Sequence, residues 1–504
     1  MFDKIKRLGT DTAIYGVSTV VGRFLTYILT PIYANVLPSS DVGIVATVFS
    51  YIAFLNVFFG YGMESAFMKY RSTLEIGSEK QNFTVPFFSL TVSSIVLAAL
   101  MIWQRGNLAV LAGDPSTYVQ LVQYVAVIVC LDTIAIVPFA SLRLARKAKQ
   151  FAAIKLTSII VNVACNLLFL IKYHTGIEGI FYSNMISSSI VLVMLASTIV
   201  ANLSIRWNAA LYESLLRFGL PYIPAGIATM MIQVIDRPIL LALTDESTVG
   251  IYQANYRLGI FMMLVVSMFD FAWRPFLLTH AKDPDAKQIF ARVLTYFVLL
   301  MTGVLLVLSF FIEDIVKLPI FWRHSILPAE YWHGLAIVPV VLLGYLFLGV
   351  SNNFVAGIYI EKKTQHLPAN TFIGAIINVA ANFLLIPYMG IMGAALATLL
   401  SYAAMAVGLY FVVQRFYPIR YEFGRIGKIV LAGGVVFVFS YFVRWESFEI
   451  LWKVALLVLF VALMYWMKFF EQSELRAIAR SLTRQRGDEV SSSVSSTNGF
   501  SEPK

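Results

Sequence analysis

The sequence predicts an all-α integral membrane protein with about fourteen transmembrane helices, organised as two parallel six-helix repeats followed by two further helices. Three observations lead there. The first is bulk composition: of 504 residues, 59% are hydrophobic and 13% charged, and mean hydropathy is +0.77. A soluble domain is nearer half apolar and a quarter charged. The excess falls in runs of about 20 residues, the length a helix needs to cross a ~30 Å hydrocarbon core. Backbone groups in lipid must be hydrogen-bonded internally, and spans this long meet that demand as helices. The second observation is an alternation of basic loops, and the third is an internal repeat.

In chain order, the spans are expected near residues 11–36, 42–62, 84–103, 117–138, 152–172, 177–203, 217–243, 249–271, 290–312, 330–352, 367–388, 391–413, 426–444 and 448–468. Lys4, Lys6 and Arg7 before an apolar run imitate a secretory signal. The run is too long, Arg23 interrupts it, and no small-x-small cleavage site follows, so it reads as the first transmembrane helix. With the N-terminus inside, and Lys or Arg near the ends of a span counted with the adjoining segment, 29 of the 38 Lys and Arg residues fall in inside segments, six outside and three within spans. A miscounted helix would invert every later loop, so both termini are expected in the cytoplasm and the chain in the inner (cytoplasmic) membrane. The formal charge of +10 therefore does not point to nucleic acid. Arg143, Arg146, Lys147 and Lys149 are first a topology signal and second a contact for anionic membrane lipid. Cys130 and Cys165 lie in apolar runs with neither metal spacing nor a disulfide framework, and no cofactor is expected.

The repeat has a nearly constant offset. Pro31-Ile32 with Ser40-Asp41-Val42-Gly43-Ile44 matches Pro238-Ile239 with Ser247-Thr248-Val249-Gly250-Ile251, 207 positions on. Asn162 to Asn166 matches Asn378 to Asn382 at 216, and Gly176 to Gly179 matches Gly390 to Gly393 at 214. Two bundles of six helices are expected, residues 1–210 and 211–425. Six is even, so both halves share one orientation and their axis runs along the membrane normal. Residues 426–468 add helices 13 and 14, and 469–504 a cytoplasmic tail, basic and amphipathic from Glu474 to Arg486 and disordered after about 487.

Charges inside spans cost roughly 2.5–3.5 kcal/mol each on insertion scales, so each calls for an explanation. Arg23 sits mid-helix 1 in a stripe of Thr12, Tyr15, Thr19, Thr26 and Thr30, spaced by three or four. Helix 7 repeats the pattern with Thr229, Gln233, Asp236 and Arg237, and the repeat places Arg237 at the position of Thr30. Helix 8 adds Tyr252, Asn255 and Tyr256 beside Arg257, whose counterpart is Ser50. Arg23, Arg237 and Arg257 either line one cationic cavity or hold bundles together through Asp132, Asp236 or helix-end carbonyls. Asp236 is either the partner of an arginine or a carboxylate that couples transport to a proton or sodium ion, and Asp132 is a second coupling candidate that more often packs than titrates. The Asn162/Asn166 and Asn378/Asn382 pairs read as interhelical hydrogen-bonding glue. Pro221, Pro224 and Pro238 mark bends in helix 7.

Phe218-Gly219-Leu220-Pro221-Tyr222-Ile223-Pro224, Asp236-Arg237, Val249-Gly250-Ile251-Tyr252, Ala272-Trp273-Arg274-Pro275 and the segment from Asn378 to Thr398 resemble the polysaccharide-transporter branch of the multidrug/oligosaccharidyl-lipid/polysaccharide exporters. The resemblance covers both halves. It implies two bundles around a central cavity that opens alternately to either side, and a flippase of undecaprenyl-pyrophosphate-linked oligosaccharide, the repeat unit of a surface polysaccharide such as O-antigen. A lipid-linked oligosaccharide is then the substrate, and other glycan-assembly proteins are the expected contacts. Guanidinium and aromatic groups suit that substrate, because Arg offers forked donors to phosphate oxygens. A lipid II-type flippase and a cation-coupled multidrug extruder of the same fold are the alternatives. A membrane-bound glycan polymerase or acyltransferase is more distant. His174, His280, His324, His333 and His366 all lie in loops or at helix ends, the longest external segment, Glu313 to Ala329, is short, and no Gly-Lys-Ser/Thr nucleotide loop is present. The chain is not expected to be an enzyme.

Overall fold

The computed structural model describes residues 27–113, 115–204, 206–321, 324–443 and 448–471. Among them, thirteen helical segments are long and apolar enough to cross a membrane. A further helix, α1, covers 27–36; its expected upstream part, with Thr12, Tyr15, Thr19, Arg23 and Thr26, lies outside the described residues, as does the tail from 472. The chain then runs α2 (Ser39–Gly60), α3 (Met63–Thr73), α4 (Glu79–Trp103), α5 (Arg105–Ala112), α6 (Pro115–Leu144), α7 (Ala148–Leu167) with a π turn over Leu168–Lys172, and α8 (Ile177–Asn202). The second part holds α9 (Ala209–Gly219), α10 (Tyr222–Val234), α11 (Asp236–Leu243), α12 (Glu246–Arg257), α13 (Ile260–His280), α14 (Ala286–Lys317), α15 (Val338–Ile360), α16 (His366–Met389) and α17 (Ile391–Gln414). Last come α18 (Phe423–Phe442) and α19 (Glu449–Trp466). A hairpin of Pro319–Phe321 with His324–Ser325, then a 3-10 turn over Ala329–Ile337, joins α14 to α15.

Local chemistry explains the boundaries. Ser78 and Gln81 form a reciprocal capping box at the start of α4, and the side chains of Asn208 and Asp245 cap α9 and α12. Span seven, expected as one bent helix over 217–243, is three pieces. Leu220 and Pro221 separate α9 from α10. The next break, at Ile235, follows from Pro238, which has no N–H to offer the carbonyl of Val234. The expected span 249–271 is likewise α12 and α13, parted at Leu258–Gly259.

Helical contacts divide the chain into two compact units. One comprises Met1–Asp283 and Ile312–Pro418; the other, Pro284–Phe311 and Ile419–Lys504. In the second, Arg425 holds the base: it donates to Glu422 at 3.2 Å and lies 4.6 Å over the ring of Phe469. In the first, repeat-related positions adopt the same geometry. Asn166 donates to the carbonyl and side chain of Asn162 at 2.8 and 3.1 Å, and Asn382 to those of Asn378 at 2.8 and 3.0 Å. Arg146 and Lys362 end α6 and α15 with φ of 54° and 55°, and Gly176 and Gly390 enter α8 and α17 with φ of 62° and 53°.

The two ends of this unit differ in character. Arg71, Glu79, Lys147 and Asn202 line one polar cavity of ≈ 290 Å³, which brings the basic loops after α3, α6 and α8 to the same end. At the opposite end α2 and α12 touch backbone to backbone. A Cβ on Gly43 would run into the carbonyl of Glu246, and a Cβ on Gly250 into that of Ser39. Each glycine thus meets the residue four before its own repeat counterpart, so the contact is its own mirror across the repeat. Ser39 and Ser247 share a 2.7 Å hydroxyl bond beside it.

Candidate functional site

The charged groups of span seven sit where its helix is broken. Restarting at Asp236 turns Asp236 and Arg237 inward, and they are 1% and 5% exposed. One guanidinium nitrogen of Arg237 donates to Asp236 at 2.5 Å and to the carbonyl of Gln233 at 2.7 Å, while Nε donates to Gln253 at 3.0 Å. Tyr252 donates its hydroxyl to the other oxygen of Asp236. The guanidinium lies 4.5 Å over the ring of Tyr256 and 5.5 Å over that of Tyr252. Tyr345 and Tyr402 complete an aromatic box, with ring separations of 6.2 Å from Tyr256 to Tyr345 and 6.3 Å from Tyr345 to Tyr402. An ion pair this dry is held only because its remaining valences are also filled.

Arg257 stands one helix away and is placed differently. Its guanidinium donates to the Thr30 hydroxyl at 3.0 Å, from α12 across to α1. Tyr27 and Tyr33 of α1 are within electrostatic reach, and so is Arg237. Among the described residues no carboxylate pairs with Arg257. It lies seven residues, about 10 Å, inward from the Gly43–Gly250 contact. Thr30 is the position that the repeat equates with Arg237, so Arg257 is flanked by both members of a repeat-related pair.

The structure therefore brings together Asp236, Arg237, Tyr252 and Tyr256, with Gln233 contributing its carbonyl and keeping an exposed side chain. Asn255 faces elsewhere: it donates to Ile251 and to the Tyr331 carbonyl, both at 2.9 Å, and so ties α12 to the 329–337 turn. Asp132 is remote from this group. It accepts from Ser188 at 2.7 Å, with Lys155 nearby, whose ammonium lies 4.4 Å over Phe139. Arg23 lies outside the described residues. Sequence reasoning missed Gln253, Tyr345 and Tyr402, none of which carries a charge or falls on a repeat match. It also gave no role to Asn35, which donates to the carbonyls of Ser325 and Ile326 at 3.2 and 3.0 Å and fastens α1 to the hairpin. No cluster of three metal-ligating side chains occurs among the described residues.

Comparison with known proteins agrees with this architecture. Residues 32–320 match the family described as polysaccharide biosynthesis protein. The comparison with curated proteins returned no match. Among solved structures, the fold is similar to the lipid II flippase MurJ in an inward closed conformation, with a TM-score of 0.70 at 16% identity, covering 90% of this chain and 99% of that one. It is also similar to an inward-facing multidrug resistance MATE family transporter of the MOP superfamily, at 0.65 and 13%, covering 78% and 94%. A Vibrio cholerae MATE transporter, VcmN in the bent form, gives 0.55 and 14%, covering 81% and 96%. The match spans more than half of the chain and includes α2 to α14 with both arginines of the site, and the protein belongs to the polysaccharide biosynthesis protein family.

Proposed function

We propose that the protein is a flippase that moves undecaprenyl-pyrophosphate-linked oligosaccharide from the cytoplasmic to the external leaflet by alternating access, with both termini in the cytoplasm. One observation carries the reading: Arg257 is a cation deep in the membrane whose one described hydrogen-bond partner is a neutral hydroxyl on the other half. A charge at that depth is costly without a counter-charge, and a pyrophosphate supplies one. Its forked donors suit phosphate oxygens. Arg237 backs the site from within the C-terminal half, where Asp236 already neutralises it. Arg23, which shares a sequence stripe with Thr30 and lies outside the described residues, is assigned to the same cationic site from the sequence alone. In this state the Gly43–Gly250 contact closes the outer end, so substrate reaches Arg257 from the basic, cytoplasmic side.

A coupling ion, proton or sodium, could act at Asp236 only by displacing Arg237 and Tyr252 from its oxygens, and at Asp132 only by displacing Ser188. A lipid II-type substrate shares the pyrophosphate and is the nearest alternative. Extrusion of organic cations fits poorly with an uncompensated guanidinium. Complementation of a flippase-deficient strain, with protein level measured in the same membranes, tests the proposal. Arg257→Ala should lose export at normal abundance and Arg257→Lys should keep part of it. Normal glycan export by the Arg23→Ala/Arg257→Ala variant would end the cationic-site reading.

A further inference from the structure

We propose that the polar cavity at the basic end of the N-terminal half is a phosphate-binding site, formed by Arg71, Lys147, the hydroxyls of Ser141 and Thr198, and the N-terminus of α7. The cavity, of ≈ 290 Å³, lies where α3, α6 and α8 end and α7 begins. Ser141 of α6 and Thr198 of α8 both line it, and each is 8% exposed. Neither hydroxyl has a hydrogen-bond partner among the described residues, whereas Thr133 and Ser183 of the same two helices bond back to carbonyls of their own helix at 2.7 Å. A buried hydroxyl without a partner is costly. A ligand rich in acceptor oxygens satisfies both at once.

The charges specify an anion. Arg71 commits one guanidinium nitrogen to Glu79, whose carboxylate is exposed at the rim. The remaining donors of its fork suit phosphate oxygens. Lys147 forms no ion pair among the described residues, so two cations face this one carboxylate and the lining is net positive. Lys147 is also the N-cap of α7, which has no side-chain cap and no acidic residue in its first turn. Its unmatched N–H groups and positive dipole end add to the field at the cavity. The fold does not require such a place. In the other half Lys363 donates its N–H to the Ile358 carbonyl as Lys147 does to that of Leu142, so Gly357 stands where Ser141 does. There Val413 and Tyr417 fill the space: a Cβ on Gly357 would come within 2.4 Å of the Val413 side chain and 3.3 Å of Tyr417. One half thus keeps a polar cavity where its repeat partner is closed by packing, and this inference does not depend on the flippase reading.

The test is equilibrium dialysis of radiolabelled inorganic phosphate against the full-length protein in phosphatidylcholine nanodiscs. Saturable binding is expected, and chloride at equal ionic strength should not remove it. Ser141→Ala/Thr198→Val and, separately, Lys147→Gln should each weaken it at least about tenfold. Lys147 is exposed, so Lys147→Gln decides the matter even where the double variant folds poorly. A lipid headgroup and a free phosphate offer the same chemistry. Phosphatidic acid in the nanodiscs should abolish phosphate binding, beyond the effect of the same charge of phosphatidylglycerol, if a headgroup takes the site; unchanged binding assigns the site to a soluble phosphate. No saturable binding by the parent, equal displacement by chloride, or parental affinity in Lys147→Gln overturns the site.

Discussion

Arg237 and Arg257 lie twenty positions apart, yet their electrostatic situations differ. Arg237 has a carboxylate, a carbonyl, an amide and two ring faces; Arg257 has a threonine hydroxyl. Breaking a buried ion pair from one side costs roughly 3–5 kcal/mol, because the remaining charge stays buried. Arg237→Ala and Asp236→Ala are therefore expected to lower the amount of folded protein in membranes. Asp236→Asn/Arg237→Gln should recover much of the loss, since both charges leave together. Fluorescence-detected size-exclusion of detergent extracts reads this; a double variant as poor as the singles would mean that the pair is not what holds the site. Arg257→Ala should leave abundance untouched. The cost of Arg237 and Arg257 was legible in the sequence, and so was the Asp236–Arg237 adjacency. The division of labour was not, because spacing along a helix reports a face and not which hydroxyl or amide meets it. Asn255 shows the limit: it shares a face with Tyr252 in sequence, and in the fold it faces the Tyr331 carbonyl.

At the scale of elements, the contact of α2 with α12 is made by two glycines that present backbone to backbone. Any side chain larger than hydrogen at either position pushes the helices apart. Overpacking of this kind costs typically 1–3 kcal/mol, which shifts a two-state equilibrium about 5- to 150-fold. Gly43→Val and Gly250→Val should each separate α2 from α12 at this contact, and, with the proposed topology, a cysteine at Ser247 should then react faster with a membrane-impermeant thiol reagent than in the parent. An unchanged rate would show that the contact does not govern closure. The glycines were visible in the sequence as members of the repeat, but repetition does not reveal that the paired copies touch. The breaks in span seven were half legible: Pro221 and Pro238 announced bends, and their separation of Asp236–Arg237 from α10 needed coordinates. Hydropathy read Glu313 to Ala329 as a plain external loop and opened the tenth span at 330, whereas the connection between α14 and α15 runs over 318–337. In the fold Asn35, Ser39 and Asn255 fasten it to three helices.

For the whole molecule, the fold class followed from the sequence because lipid leaves so few choices: long apolar runs must be helices. The repeat-related asparagine pairs and turn geometries repeat in three dimensions what the offsets show in one. Their grouping was less accessible, since nothing in hydropathy sets Pro284–Phe311 with Ile419–Lys504. Orientation is checked by labelling Lys147→Cys in intact cells. Protection from an impermeant reagent is expected, and labelling from outside would invert the topology. The central claim is that Arg257 receives the anionic head of a lipid-linked saccharide, and it is tested most directly by flipping in proteoliposomes. Purified protein is reconstituted with a fluorescent undecaprenyl-pyrophosphate oligosaccharide, and its arrival in the opposite leaflet is timed by quenching. Wild-type protein should move it, Arg257→Lys more slowly, and Arg257→Gln at the protein-free rate despite equal reconstitution. Arg257→Gln flipping as fast as wild type would contradict the account.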